Sequence, residues 1–295
     1  MTFGSLFAGI GGFDLGLERA GMTCLWQCEI DKYANQILKK HWPEVKKYED
    51  IRQLTKPESV DLICGGFPCQ DLSMAGNRAG LAGQRSGLFF ELARIINELK
   101  PKWFILENVP GLLSSKGGQD MQTVLETLAK FGYYIAYRVL DSRYFGVAQR
   151  RKRVFIIGSL GNPGCAKVLF GKEGNTKISK NDKKSIKNCI STNISSKLVK
   201  IARIDDISST MLTNVGTIGN PTSFPIVHNG IRKFTEKECE RLQGFPDGWT
   251  EGISSRARYK ALGNAVTVDV IEWIGKRIAN EMEESSASLR YSSRL

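Results

Sequence analysis

The chain reads as an α/β protein built on a mainly parallel, Rossmann-like sheet with helices on both faces, with a small irregular domain attached. Three observations predict this. Strand-like and helix-like segments alternate from residue 2 to residue 159. The strand-like segments are short, nearly continuous apolar runs, as strands covered on both faces require. The alternation stops once, at a basic and polar stretch from residue 160 to about residue 234 that has no sustained period.

Taken in order, "TFGSLF" is a buried strand, and "AGIGGFDLGLERAG" turns through glycines into a helix with apolar residues at helical spacing. "TCLWQCEI" is a second strand and "DKYANQILKKHW" a second helix, with Asp31 as its cap. "VDLICGG" is a strand, "GLFFELARIINELK" a helix stopped by Pro101, and "KWFILENV" a strand. "GQDMQTVLETLAKFG" is a helix closing on Gly132, followed by the strand-like "YYIAYRVLDS" and "RVFIIGS". Beyond the polar stretch, which composition leaves open between a disordered linker and a small domain, "KFTEKECERLQGF" is a helix. Its Thr235 and Glu238 fit a capping box. "VTVDVIEWIGKRIANEME" is a last amphipathic helix, and the serine-rich end from residue 284 reads as a flexible tail.

Of the 295 residues, 41% are hydrophobic and 24% charged, a globular balance. No run approaches ~18 consecutive apolar residues and the N-terminus lacks the layout of a secretory signal, so an intracellular, soluble protein is expected. Seven cysteines without a CxxC and two histidines, His41 and His228, argue against zinc and for reduced, mostly buried thiols. No metal is expected. The net charge of +12 points to a polyanionic partner, and its distribution sharpens the point: residues 160–234 hold 12 Lys/Arg against 4 Asp/Glu, a net +8.

Several positions carry chemistry. Gly9, Gly11 and Gly12 let the backbone approach a nucleotide-type ligand at a helix N-terminus, although glycines also make ordinary tight turns. Glu29, ending the second strand, stands where doubly wound sheets place a ribose-binding carboxylate, and Asp50 is either a polar contact for an adenine ring or a solvated loop acid. Cys69, in "GGFPCQDLS", follows a strand's carboxyl end and Pro68, a place for a thiolate nucleophile rather than for a packed thiol. Glu107, in "ENV", ends the neighbouring strand and is read as either a structural carboxyl or a proton donor raised by enclosure. Arg151 and Arg153, in "QRRKRVFIIG", project from one face of a strand, for surface ion pairs or for phosphate or carbonyl recognition.

"LFAGIGGFDLGLERAG", "GGFPCQDLS", "ENVPGLL", "QRRKRVFIIG", "RLQGFPDGW" and "ALGNAV" together resemble the ordered motif set of the DNA (cytosine-5)-methyltransferases, with a variable segment at roughly 160–230. The resemblance implies a class I methyltransferase fold and S-adenosylmethionine as cofactor. It implies that Cys69 attacks C6 of a flipped-out cytosine, that Glu107 holds and protonates N3, and that Arg153 contacts O2, with Arg151 and Gln149 beside it. Phe7, Ala8, Gly9, Gly11, Gly12 and Phe13 would frame the cofactor with Pro68. Glu29 would bind ribose, Asp50 and Ile51 the adenine, and Asn264 and Val266 would complete the pocket. Ile30 stands where the family often has an aromatic residue against the adenine.

Four units follow: a catalytic domain at 1–159, a target-recognition domain at 160–258, a returning segment at 259–283 and a tail at 284–295. Double-stranded DNA is the implied partner, with Ser73, Arg78 and Arg85 on a glycine-rich lid and Thr213 and Thr217 on a recognition loop as its contacts. A monomeric bacterial or phage enzyme in the nucleoid-bearing cytoplasm is implied, a modification methylase paired with a restriction nuclease or acting alone. Competing readings are a tRNA-methylating branch of the family, a catalytically dead DNA-binding relative and a nicotinamide dehydrogenase; the last leaves "PCQ" and "ENV" unexplained.

Overall fold

Short apolar strands flanked by amphipathic helices assemble as expected. The computed structural model describes residues 1–68, 87–171, 189–195, 198–205, 208, 211, 222–227 and 230–292. The elements run β1 (Thr2–Leu6), α1 (Gly12–Arg19), β2 (Thr23–Cys28), α2 (Lys32–His41), β3 (Lys46–Tyr48), β4 (Leu62–Gly66), α3 (Leu88–Leu99), β5 (Trp103–Asn108), α4 (Gln119–Lys130), β6 (Tyr133–Asp141) and β7 (Lys152–Leu160). The seven strands form one sheet in the order β3-β2-β1-β4-β5-β7-β6. It is parallel except at β7, which runs antiparallel to β5 and to β6.

Both faces of the sheet are apolar, and alternate side chains feed separate cores. On β4 and β5, Ile63, Phe104 and Leu106 face α3 and α4 through Phe89, Leu92, Ile96 and Val124. Leu62, Cys64, Trp103 and Ile105 face the other way, toward Phe13 and Leu17 of α1. Each such side chain, removed from water, contributes about 1.5–3 kcal/mol. Asp31 caps α2 by accepting from the Tyr33 and Ala34 amides, and five of the cysteines are free and buried. Among the described residues no helix is long and apolar enough to cross a membrane.

The second half departs from expectation at three places. Helix α5 (Gly164–Phe170) lies beyond the expected boundary at 159, yet its Cys165, Val168 and Leu169 join the core on the α1 face. The polar stretch contains strands: β8 (Cys189–Ser195), β9 (Leu198–Asp205), β10 (Thr222–Val227) and β11 (Gly230–Ile231) form a four-stranded sheet in the order β11-β10-β8-β9. Then come α6 (Glu236–Leu242), with the Thr235–Glu238 capping box in place, and α7 (Ser255–Asn264). The last helix, α8 (Val268–Ser292), continues through most of the expected tail. Its Ile271, Ile274 and Ile278 cover the sheet beside α1, and Arg277 donates to the Val168, Lys167 and Gly171 carbonyls at the end of α5.

Candidate active site

The strand order reverses at β1 and β4, where an open α/β sheet leaves a crevice at its carboxyl edge. A cavity of about 740 Å³ opens there, lined by the segments that leave β1, β2, β4 and β5 and by α7. That volume suits a small-molecule cofactor together with part of a second substrate.

At the β1–β2 end, the chain turns sharply into α1. Phe7 takes a left-handed conformation at φ 52°, uncommon for a non-glycine residue and a mark of functional loops. Gly9 is also left-handed, at φ 58°, and a Cβ there would touch nothing, so the loop leaves space beside the cavity. Gly12 is needed for a different reason: its Cβ would lie 2.8 Å from the Val266 carbonyl, where the chain returns to close the pocket. Glu29 faces this loop with both oxygens engaged, one by the Gly9 amide at 2.7 Å and the other by the Asp31 amide at 2.7 Å. Burial raises its pKa, and those backbone donors oppose the rise. Asp50 caps the following turn and forms a fork with Arg52, which holds its carboxyl below the ordinary range. Ile30, 67% exposed, presents an uncovered apolar side chain at the rim.

At the β4–β5 end, Glu107 and Arg153 form an ion pair, Nε to Oε1, at 2.8 Å. Burial pushes the Glu107 carboxyl above its usual range, against the opposing pull of Arg153 and Arg151. Asn108 donates to the Phe67 carbonyl at 2.9 Å and accepts from the Val109 amide at 2.8 Å. It thereby fixes the backbone just before Pro68, the residue preceding Cys69. A partly buried carboxyl paired with a guanidinium, beside the backbone that leads to Cys69, can hold a polar ring and move a proton to it.

Comparison with known proteins decides what such a cavity belongs to. The model of the C-5 cytosine-specific DNA methylases matches residues 1–211 and 167–280. The chain belongs to this family. Type II methyltransferase M2.BsuMI of Bacillus subtilis (strain 168) is 34% identical over 291 residues, covering 93% of this chain and 74% of that protein. Type II methyltransferase M.HhaI of Haemophilus parahaemolyticus is 31% identical over 313 residues, covering 96% and 95%. Among solved structures, S. pombe Dnmt2 methyltransferase superposes with a TM-score of 0.72 at 20% identity, covering 96% of this chain and 99% of that one, so the fold is shared. The activity of this methylase is DNA cytosine-5 methylation.

Within the methylase, Phe7, Ala8, Gly9, Gly12, Phe13 and Glu29 line the cavity. So do Ile30, Asp50, Ile51, Pro68, Asn264 and Val266, together with Glu107, Arg151 and Arg153. Two expected site residues do not. Gly11 faces away, and a Cβ there would strike the Trp42 ring at 2.3 Å, so its glycine is demanded by packing and by a φ of 84°. Gln149 is fully buried, donating to the Leu242 carbonyl at 2.8 Å and accepting from the Met211 amide at 3.0 Å. Its amide is spent on holding backbone, which removes it from the reacting groups. Cys69, Ser73, Arg78, Arg85, Thr213 and Thr217 lie outside the described residues. Sequence reasoning passed over Asn108, although it stands inside "ENV". It also passed over Lys260, which lines the cavity from α7 and pairs with Asp31 at 3.0 Å.

Proposed function

We propose that the protein methylates C5 of cytosine within a short double-stranded DNA sequence, using S-adenosylmethionine, a flipped-out target base and a transient bond from Cys69 to C6. The observation that carries this is the partly buried Glu107–Arg153 pair, set one strand from the backbone that leads into Cys69. The cavity suits the cofactor: a partly buried acceptor at Glu29, open space at Gly9, and apolar surfaces at Phe7, Ile30 and Ile51. Glu29 would take the ribose hydroxyls, Asp50 and Ile51 the adenine, and Asn264 and Val266 would close the pocket. When bound, S-adenosylmethionine supplies an electrophilic methyl group.

The chain's own residues do the rest. Cytosine C5 is a weak nucleophile while its ring is aromatic, and neither C5 nor C6 can be reached inside the stack. Addition of the Cys69 thiolate forms a sulfur–C6 bond and pushes electrons into the ring. Glu107, whose carboxyl pKa burial raises, gives a proton to N3, and Arg153 holds O2. C5 then has enamine character and accepts a methyl group. Loss of the C5 proton to solvent, departure of the Cys69 thiolate and return of the N3 proton to Glu107 restore the ring as 5-methylcytosine. The basic region from 160 would neutralise phosphates, with Ser73, Arg78, Arg85, Thr213 and Thr217 as contacts, and the names of the relatives support a role as a type II modification enzyme.

Bisulfite sequencing of DNA from cells expressing the protein is expected to show methylated cytosines in one short sequence context, and none with Cys69→Ala. A duplex carrying 5-fluorocytosine at that position should become covalently attached, because fluorine blocks the final proton loss. Full activity of Cys69→Ala, or a 5-fluorocytosine duplex that never becomes attached, overturns the reading.

A further inference from the structure

Arg151 is 2% exposed, and both of its terminal nitrogens donate to backbone carbonyls. Nη1 donates to the Met211 carbonyl at 3.3 Å. Nη2 donates to the Gly263 carbonyl at 3.1 Å and to the Ala265 carbonyl at 2.8 Å, on either side of the cavity-lining Asn264. Arg153, two residues on, takes the carboxylate of Glu107. The two arginines of one motif therefore have different duties, and only one is placed for the target base.

The Met211 end of this contact is tied down repeatedly. Met211 gives its amide to Gln149 and its carbonyl to Arg151. Ser208 gives its amide to the Ala148 carbonyl at 2.9 Å and accepts from the Arg150 amide at 2.7 Å, forming a parallel bridge with Gln149. Residues 148–151 thus grip 208 and 211 from the backbone and from two side chains. On the other side, Gln243 donates to the Leu262 and Ala265 carbonyls, so the loop reached by Arg151 is held as one piece.

We propose that Arg151 is a positioning residue that couples DNA engagement to cofactor binding. One planar guanidinium fixes the backbone at Met211, where the chain enters the expected recognition loop, and the backbone flanking Asn264 in the cofactor pocket. This rests on the methyl-transfer reading. A displacement at 211 and a displacement at 263–265 draw on the same rigid fork, and the resulting coupling is reciprocal between the two ligands. Lysine keeps the charge but not the fork, so it cannot serve both carbonyl sets at once.

The test is calorimetric, with S-adenosylhomocysteine as the probe, titrated with and without a duplex carrying the sequence found by bisulfite sequencing. Wild type is expected to bind the probe about tenfold tighter with the duplex present. In Arg151→Lys that ratio is expected to fall to about one. A purely structural role would weaken both affinities and leave the ratio intact. Gln149→Met, which loses the Met211, Leu242 and Gln243 contacts but leaves the Arg151 bonds to Gly263 and Ala265, serves if Arg151→Lys does not fold: its ratio should fall by more than its probe affinity without DNA. A wild-type ratio of one, or an unchanged ratio in either folded variant, overturns the inference. A wild-type protein that methylates no cytosine would instead overturn the reading beneath it.

Discussion

Glu29 and Glu107 are both partly buried carboxyls at the carboxyl edge of one sheet, both with raised pKa, and they are held in opposite ways. The order β2-β1-β4-β5 separates their strands by three spacings, roughly 14 Å. Among the described residues no cation pairs with Glu29; two backbone amides fix its oxygens. Glu107 has Arg153 on one oxygen and further positive charge from Arg151. Amides in a rigid loop make a stationary acceptor, suited to binding hydroxyls. A carboxyl balanced between burial and a guanidinium can change protonation as its neighbours change, which suits a group that transfers a proton. The same residue type is thus placed for binding at one end of the cavity and for chemistry at the other.

Glu107→Gln should break this contrast most severely. The amide keeps the shape and loses the proton, so turnover at saturating cofactor is expected to fall by about 10²–10⁴, while cofactor affinity stays near wild type. Single-turnover rates and calorimetry on the same variant separate the two quantities. An affinity loss as large as the rate loss would show that the two ends are not independent.

A fully buried carboxyl provides the control. Asp14 lies on the buried face of α1, outside the cavity, with neutral partners: Ser5 at 3.0 Å, Gln27 at 2.7 Å and the Cys24 thiol at 3.6 Å. Burial pushes its pKa up to about 6 from an unfolded value near 3.8. The folded state then prefers the protonated form, so the stabilising contribution is complete below pH 3.8 and is lost as pH rises through about 6. The loss across that window is about 3 kcal/mol. Asp14→Asn should flatten the dependence of thermal midpoint on pH there; a curve parallel to wild type would show that Asp14 is not what titrates.

Glu29→Gln is expected to act more weakly and in the other quantity. Replacing one accepting oxygen by an amide nitrogen that faces a backbone N–H loses a charge-assisted hydrogen bond, about 1.5–3 kcal/mol, or ten- to a hundredfold in cofactor Kd. Turnover at saturation should stay within about threefold of wild type. A fall in saturated turnover matching that of Glu107→Gln would erase the division between binding and chemistry.

The contrast was legible in part. Glu29, Glu107 and the strands that carry them stand out because each buried strand is a continuous apolar run ending in a polar residue. What was missed has short or long-range causes. Strand β3 is three residues, "KKY", and α5 is seven residues without a side-chain cap, too little for a period to register. Strands β8 to β10 are short and lie beside the lysine-rich, polar residues 172–188, so composition hides them. Helix α8 outruns its apolar pattern into serines. Gln149 was misplaced because a motif places residues together in sequence, whereas its partners Met211 and Leu242 are 62 and 93 residues away.

Lys260 is the extreme case, 229 residues from the Asp31 it pairs with, and it yields the smallest effect. The pair spans the cavity rim from α7 to the cap of α2, with Lys260 59% exposed and Asp31 35%. An ion pair in that much water contributes about 0.2–1 kcal/mol, so Lys260→Met should weaken cofactor binding by less than about fivefold. The difference should vanish at molar salt, where the screening length shrinks to about 3 Å. Asp31→Ala should cost more, because the same carboxylate also accepts the Tyr33 and Ala34 amides at the start of α2, a cap worth about 1 kcal/mol. If the two variants lost affinity equally, and equally at all salt concentrations, the cap would be irrelevant to the pocket and Lys260 would be acting on the cofactor directly rather than through Asp31.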